Sequence, residues 1–395
     1  MSHVIHYSYQ GELYAYGPYS REIDIWADLF PEVVIASPCR SERPPADCLP
    51  FTRKNISISP QIEAGGDHWF AKLIQVVLLP FILIRLSIAM FRANAIHVRC
   101  PGNLGLFGCI LAPLFCRYRI AKFAGQWNGY RNETPTVRLQ RMLLKSRWWG
   151  APVTVYGHWP DQPSHVIPFF TSMMTGEQVR HAVSCSQDKV AHEPLRILFS
   201  GRLVPEKRIS TLIEALELAK RDGLKFEASI VGDGIERTRL EEQVKQKKLQ
   251  NEIRFIGALP FDEGLQWNEW ADCLVLPSKN SEGWPKVIAE AMCYGVVCIG
   301  VDHGQVGKML EGRGFLLSHG DAQEISNAIL KLAKDKDEYS QLSKHAATWA
   351  KQYSIDGLRT ALAKLLEEQW KVMIDSSKFA TETDEIVSTQ EIYAR

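Results

Sequence analysis

Residues 273–292 read Cys-Leu-Val-Leu-Pro-Ser-Lys-Asn-Ser-Glu-Gly-Trp-Pro-Lys-Val-Ile-Ala-Glu-Ala-Met. The apolar run 273–276 has no polar face, which suits a strand in a sheet covered on both sides. A polar loop follows over 279–284, and then a helix over 285–294, with Pro285 in its first turn and Gly295 at its stop. In open α/β sheets, ligands bind beyond the carboxyl ends of strands, where a helix amino terminus offers unpaired N–H groups and a positive dipole end. This stretch therefore predicts a parallel sheet with an anion site at its edge.

The same alternation extends in both directions. Strands are expected at 4–8, 33–37, 56–59, 95–98, 119–123 and 153–155, and a second series at 195–200, 226–231, 253–256, 273–276 and 296–300, with helical segments between. The polar segment 186–194 ends in Pro194 and suits a linker. The expected organisation is an α/β domain over 1–187, a linker over 188–194, a second α/β domain over 195–356, a helix over 357–374 and a flexible tail over 375–395. Leu358, Leu362, Leu365, Leu366, Trp370 and Met373 share a face of that helix, which is expected to return to the first domain. The most apolar stretch, 73–91, is interrupted by Gln75, Pro80 and Arg85, so it predicts a helix that is buried or lies at an interface, not one that spans a bilayer.

At 395 residues, 46% hydrophobic and 23% charged, the chain has material for two cores, and neither a small binding module nor a disordered protein fits. A formal net charge of +1 argues against wrapping nucleic acid. The charge is unevenly placed, with 19 Lys/Arg against 13 Asp/Glu over residues 1–190 and 27 against 32 over the remainder. The first half is thus the one suited to an anionic surface. Nine cysteines without a C-x-x-C pair, and no secretory signal in the first 30 residues, predict reduced thiols and a cytoplasmic location, peripheral at the inner face of the membrane if the first half binds lipid.

Two sets of residues suit a phosphorylated, hydroxyl-rich ligand. Arg202 and Lys207, in the turn opened by Gly201 after the strand at 195–200, could clamp a diphosphate, Arg202 by a forked contact and Lys207 as a point charge. Glu282 in the loop and Glu290 within the helix are suited to accept hydrogen bonds from sugar hydroxyls. Each set taken alone also reads as ordinary solvated charge.

Taken together, Ser200-Gly-Arg-Leu-Val-Pro-Glu-Lys207, Ile230-Val-Gly-Asp-Gly234, Arg254-Phe-Ile-Gly257 and the 276–292 stretch occur in the order and spacing of the family 4 glycosyltransferases. The resemblance covers about residues 195–335, including a pair of glutamates with seven residues between them that Glu282 and Glu290 reproduce. It implies a GT-B fold of two Rossmann-like α/β domains facing across a cleft, and transfer from a UDP- or GDP-sugar to a saccharide or lipid-linked hydroxyl, with retention and without a metal or other cofactor. By position it makes Arg202 and Lys207 the diphosphate-binding cations and Glu290 the ribose-binding carboxylate. Glu282, with the backbone of Gly283, Trp284, Pro285, Lys286 and Val287, would contact the donor sugar and phosphate.

The first half departs from that pattern. A single Gly17 stands beside Pro18 where many members have paired glycines, and the segment Phe123-Ala-Gly-Gln-Trp-Asn128 lacks the usual His. Gln126 and Asn128 are the amides left there for donor or acceptor contact. Between 117 and 147, eight Lys/Arg are interleaved with Trp127, Tyr130, Trp148 and Trp149, a pattern suited to anionic headgroups, an acidic acceptor or a solvated helix face.

Other classes fit less well. The nearest match to a dinucleotide fingerprint, Gly232-Asp-Gly234-Ile-Glu-Arg237, lacks its third glycine, and Asp335-Lys-Asp337 lies at the end of a Lys-rich segment rather than after a buried strand. No H-E-x-x-H pattern or Cys/His cluster suggests a metal in this reading. A nucleotide-sugar-binding protein without catalysis is the remaining alternative, since the usual His is missing.

Overall fold

The computed structural model describes residues 1–45, 47–63, 69–130, 133–278 and 283–374, with 69–76 described at the level of the backbone alone. The chain forms two compact units, Met1–Met173 together with the stretch from Ile355 onward, and Met174–Ser354.

The first unit opens with an antiparallel hairpin of β1 (His6–Tyr9) and β2 (Glu12–Tyr16). Its turn is Gln10-Gly11, both at positive φ (52° and 84°), the geometry that two-residue hairpins require. The sequence reading has one strand here and misses the second, although the turn was the available signal. α1 (Gly17–Leu29) follows directly, and then β3 (Val33–Ser37), β4 (Cys39–Arg40), β5 (Cys48–Pro50) and β6 (Ile56–Pro60). One sheet has the order β4-β1-β2-β5, and β3 pairs in parallel with β6. Next come α2 (Trp69–Phe91), β7 (Ile96–Cys100), α3 (Asn103–Phe115), β8 (Arg119–Phe123), α4 (Pro135–Lys145), β9 (Val153–Tyr156) and β10 (Val166–Phe169). The last four strands form a parallel sheet of order β10-β9-β8-β7. Its core holds Val98, Ala121, Phe123, Val153 and Val155, with Trp127 and Trp149 wholly buried against them.

The second unit begins with α5 (Gly176–Ser186), whose start is fixed by a reciprocal cap between Thr175 and Gln178. There follow β11 (Leu195–Ser200), α6 (Ile209–Arg221), β12 (Phe226–Val231), α7 (Arg237–Gln246), β13 (Ile253–Gly257), α8 (Phe261–Trp270), β14 (Cys273–Leu276), α9 (Lys286–Cys293), β15 (Val297–Val301), α10 (Val306–Leu310), β16 (Gly314–Leu317), α11 (Ala322–Lys334) and α12 (Lys336–Ala350). The six strands make one parallel sheet of order β13-β12-β11-β14-β15-β16. That is the 3-2-1-4-5-6 order of a doubly wound dinucleotide-type sheet, reversing direction between β11 and β14. β14 and β15 are buried along their whole length, as their uninterrupted apolar runs require.

The break between units lies at Met173/Met174 rather than at 188–194. The cause is α5, assigned from sequence to the first domain, which packs on α9 and α12. α13 (Ile355–Trp370) belongs to the first unit and packs on α1, where Arg359 donates to Asp28 at 2.9 Å. Leu358, Leu362, Leu365, Leu366 and Trp370 are buried along it, whereas Met373, expected on the same face, lies beyond the helix end and is exposed. Residues 375–395, expected as a tail, lie outside the described residues. Among the described residues no helix is long and apolar enough to cross a membrane.

Candidate functional site

The reversal of strand order between β11 and β14 sets the loops that follow these two neighbouring strands side by side at one edge of the sheet. Such a switch point is where ligands of open α/β sheets bind, because the two loops diverge and leave a crevice. Gly201, Arg202 and Lys207 come from the first loop, and Gly283 to Glu290 from the second.

The first loop is held by backbone packing. Gly201 donates to Val231 O at 3.0 Å and Leu203 to Asp233 O at 2.9 Å, so the loops after β11 and β12 run against each other. A Cβ on Gly232, at φ +134°, would fall 1.9 Å from Gly201 O, and one on Gly234 would fall 2.4 Å from Leu203 O. The 230–234 glycines therefore serve loop-to-loop contact. Arg202 is exposed, its side chain with no ion-pair or hydrogen-bond partner among the described residues, and Lys207, half-buried, closes a single 3₁₀ turn at Pro205–Lys207. The next residue, Arg208, was not singled out from sequence. Its guanidinium donates to Pro277 O at 3.1 Å and His319 O at 3.4 Å, fastening the first loop to the ends of β14 and β16. Its partners lie 69 and 111 residues away, so spacing gave no signal.

The second loop delivers α9. Pro285 caps the helix rather than starting it, and its carbonyl accepts from Ile288 N–H at 3.0 Å. Gly295, at φ +70°, ends it, with Val296 N–H returned to Ala291 O at 3.1 Å. The Trp284 side chain is buried, 5.1 Å from the Tyr353 ring and 6.2 Å from the Trp349 ring by centroids, so it anchors the loop, and only its backbone was assigned from sequence to the donor. Gly283, Lys286 and Val287 are half-exposed at this end of the helix. Glu290 stands one turn after Lys286, half-buried, and burial pushes its carboxyl up to about 7, against a smaller downward pull from Lys286. Glu282 lies outside the described residues.

The candidates in the first unit are differently placed. Gly17 is buried in the first turn of α1, and its N–H donates to Asp47 O at 2.9 Å, so this turn has no glycine N–H left for a phosphate. Glu22 on the same helix is buried between Arg99 at 3.0 Å and Lys122 at 2.9 Å, which reach it from the carboxyl ends of β7 and β8. Burial alone would raise its carboxyl, but Lys122 and Arg99 outweigh burial and hold it at about 2. This triad was not foreseen. Asn128 is exposed and Gln126 half-buried, with its Oε1 shielded from solvent and unpartnered among the described residues.

Of the basic and aromatic run at 117–147, much is internal structure. Lys122 belongs to the triad, Arg119 donates to the Trp149 carbonyl, Arg141 pairs with Glu133, and Lys145 sits 5.4 Å over the Trp127 ring. Arg117, Arg138, Arg147 and Trp148 are exposed, and Arg131 lies outside the described residues. Asp335 caps α12, accepting from Glu338 N–H at 2.8 Å, in keeping with its reading as surface.

Residues 186–349 match the family model of the glycosyl transferases group 1. The second unit thus resembles a glycosyltransferase domain. The amylovoran biosynthesis glycosyltransferase AmsK of Erwinia amylovora is 31% identical over 150 residues, covering 36% of this chain and 37% of that protein. A putative colanic acid biosynthesis glycosyltransferase, WcaL of Escherichia coli K12, is 28% identical over 166 residues, covering 40% and 41%. The alignments thus span less than half the length of these curated relatives. The structural likeness extends further. Anabaena Alr3699/HepE, solved with UDP, superposes with a TM-score of 0.65 at 16% identity over 89% of this chain and 96% of that one. A sucrose-phosphate synthase from Thermosynechococcus elongatus gives 0.63 at 17% identity over 86% and 89%. The expected fold class holds: two Rossmann-like α/β domains of the GT-B type.

Proposed function

We propose that this chain is a retaining, metal-independent glycosyltransferase of family 4 that moves a sugar from a UDP- or GDP-sugar to a saccharide or lipid-linked hydroxyl in polysaccharide assembly. The observation that carries the reading is the switch point between β11 and β14, where an exposed arginine, a lysine, a helix amino terminus and a glutamate come from two adjacent loops. The names of the relatives, in amylovoran and colanic acid biosynthesis, support the polymer class, and the UDP complex of a structural neighbour supports the donor class.

As the bond between sugar and phosphate lengthens, positive charge grows on the sugar ring and negative charge on the departing diphosphate. Arg202, Lys207 and the first turn of α9 meet that negative charge with fixed positive groups, so stabilisation is greatest in the transition state. Glu290 accepts from the ribose hydroxyls, Glu282 orients the sugar, and the amides of Gln126 and Asn128 contact donor or acceptor. The missing His removes one hydrogen-bond partner of the sugar but no proton acceptor the scheme requires, since a phosphate oxygen can take the acceptor's proton. Labelled UDP- and GDP-sugars should be turned over in EDTA, and NMR of the product should show the donor's anomeric configuration. An inverted product or full loss in EDTA would sink the assignment. Donor binding without any turnover would leave the non-catalytic alternative.

The acceptor side belongs at a membrane surface in this reading. α2 buries Ile82, Leu86 and Met90 along one stripe, yet Val77, Phe81, Ile84, Ile88 and Phe91 on its other side are exposed and apolar. A helix apolar all round, with one stripe in water, needs a second apolar surface. Ile110 and Leu114 on α3, which packs on α2, are also exposed, and the exposed Arg85, Arg92, Arg117 and Arg147 of the same unit supply positive charge for anionic headgroups. The protein should sediment with anionic vesicles, less so in high salt, and Phe81→Glu with Ile84→Glu should keep it in the supernatant; equal recovery of the wild type with and without vesicles overturns this part.

A further inference from the structure

Away from the switch point, the second unit gathers three metal-ligating side chains from distant parts of the chain. His181 and Cys185 lie one turn apart on α5 and present Nε2 and Sγ 3.6 Å from each other. Glu269, near the end of α8, brings Oε2 to 3.6 Å from the same Nε2. All three donor atoms lie within 4.8 Å of one another. We propose that His181, Cys185 and Glu269 form a binding site for a divalent cation of zinc type, joining α5 to α8.

The donor set and the spacing both argue for it. Imidazole, thiolate and carboxylate are the side chains that zinc takes in its tetrahedral sites. With Zn–N near 2.05 Å and Zn–S near 2.3 Å, the tetrahedral edge between N and S is about 3.6 Å, and with Zn–O near 2.1 Å the edge between N and O is about 3.4 Å. The observed 3.6 Å separations meet both to within a small side-chain adjustment. His181 and Glu269 are exposed, so the ion has an entry path and water completes the fourth position. The neighbouring cation, Lys189, is committed elsewhere: its ammonium donates to the carbonyls of Glu269 at 2.7 Å and Asn268 at 3.2 Å, at the carboxyl end of α8.

The site is separate from the transfer chemistry. The His181 ring lies 6.3 Å from that of Tyr294, the residue that ends α9, one turn after Glu290, while the phosphate-binding first turn is at the other end of that eight-residue helix. At 1.5 Å rise per residue the two ends are about 12 Å apart. The ion therefore fastens the first helix of the unit to its neighbour and takes no part in sugar transfer.

Untagged full-length protein, stripped with EDTA and kept reduced, should bind one equivalent of Co²⁺ with the intense visible bands of a tetrahedral site and a thiolate charge-transfer band, and Zn²⁺ should bleach both. Zn²⁺ should also raise its melting temperature, since it binds the folded form alone. Cys185→Ser and His181→Ala should each abolish the spectrum, and Glu269→Gln should weaken Co²⁺ binding roughly tenfold or more. The three changes are outside the core, so the metal-free melting temperature should stay at the wild-type value, and Cys185→Ser should turn over donor at the wild-type rate. Absence of the tetrahedral bands in wild type, or their persistence in Cys185→Ser or His181→Ala, overturns the site, and neither result bears on the transferase assignment.

Discussion

The two units treat charge at the carboxyl ends of their parallel strands in opposite ways. In the first, Arg99 and Lys122 at the ends of β7 and β8 close on Glu22, and the N–H of Gly17 is taken by Asp47 O. In the second, Arg202 at the end of β11 is exposed, and α9 is the helix that follows the neighbouring strand β14. A buried charge must be paired within the fold, whereas a charge kept at the rim of a crevice keeps its attraction for a ligand. The difference teaches that Arg99 and Lys122 are architectural, and under the proposed function it leaves diphosphate recognition to the second unit.

The sharpest way to break this contrast is Glu22→Gln. Removing the carboxylate leaves Arg99 and Lys122 buried without their partner, which should lower the unfolding free energy by about 3–5 kcal/mol, read by urea denaturation. The carboxyl is held at about 2 in the fold, against an ordinary 4.5. Its contribution is therefore full above pH 4.5 and lost as the pH falls toward 2, and the variant should lack that part of the acid dependence. A variant as stable as the wild type would remove the triad from the architecture.

Arg202→Ala tests the other side and should act on rate with little effect on stability. Transfer should fall roughly ten- to a hundredfold, since a hydrogen bond to a charged group contributes about 1.5–3 kcal/mol, while the melting temperature stays unchanged because the side chain is exposed. Gly17→Ala should do the reverse. Its Cβ would meet Leu49 Cδ1 at 3.1 Å and disturb packing, with transfer rates at low temperature within about twofold of wild type. A selective loss of donor affinity in Gly17→Ala would carry phosphate binding into the first unit.

The smallest effect belongs to Glu290. Its carboxyl, pushed up to about 7 by burial, is neutral below that pH and ionised above it. The ionised form accepts from both ribose hydroxyls, so UDP affinity measured by calorimetry should rise severalfold between pH 6 and 8, and Glu290→Gln should flatten the profile at weaker affinity. A wild-type profile already flat over this range would remove Glu290 from ribose binding.

Much of the second unit was legible because its signals are local. Apolar runs such as 273–276 and 297–301 can only be covered strands, and Gly295 marks a helix stop whatever surrounds it. The order and spacing of the motifs at 200–207, 230–234 and 276–292 then located the candidate site. The first unit was less legible. Its hairpin and short β4 and β5 lack long apolar runs, and its basic stretch at 117–147 mixes buried and exposed residues that look alike in sequence.

By itself, then, the sequence determined the α/β class and five of the six strands of the second sheet, β16 being missed, and it singled out Arg202, Lys207 and Glu290 as candidates, because backbone propensity, hydrophobic period and side-chain functional groups belong to residues close along the chain. The tertiary structure alone decided which strands are neighbours, and with that the switch point between β11 and β14. It also decided that Trp284 is an anchor, that Gly17 is packed away, that Arg208 ties three loops, and that α5 belongs to the second unit. Each of these depends on partners tens of residues distant, and a contact between distant residues is set by how the elements pack, which no local pattern records.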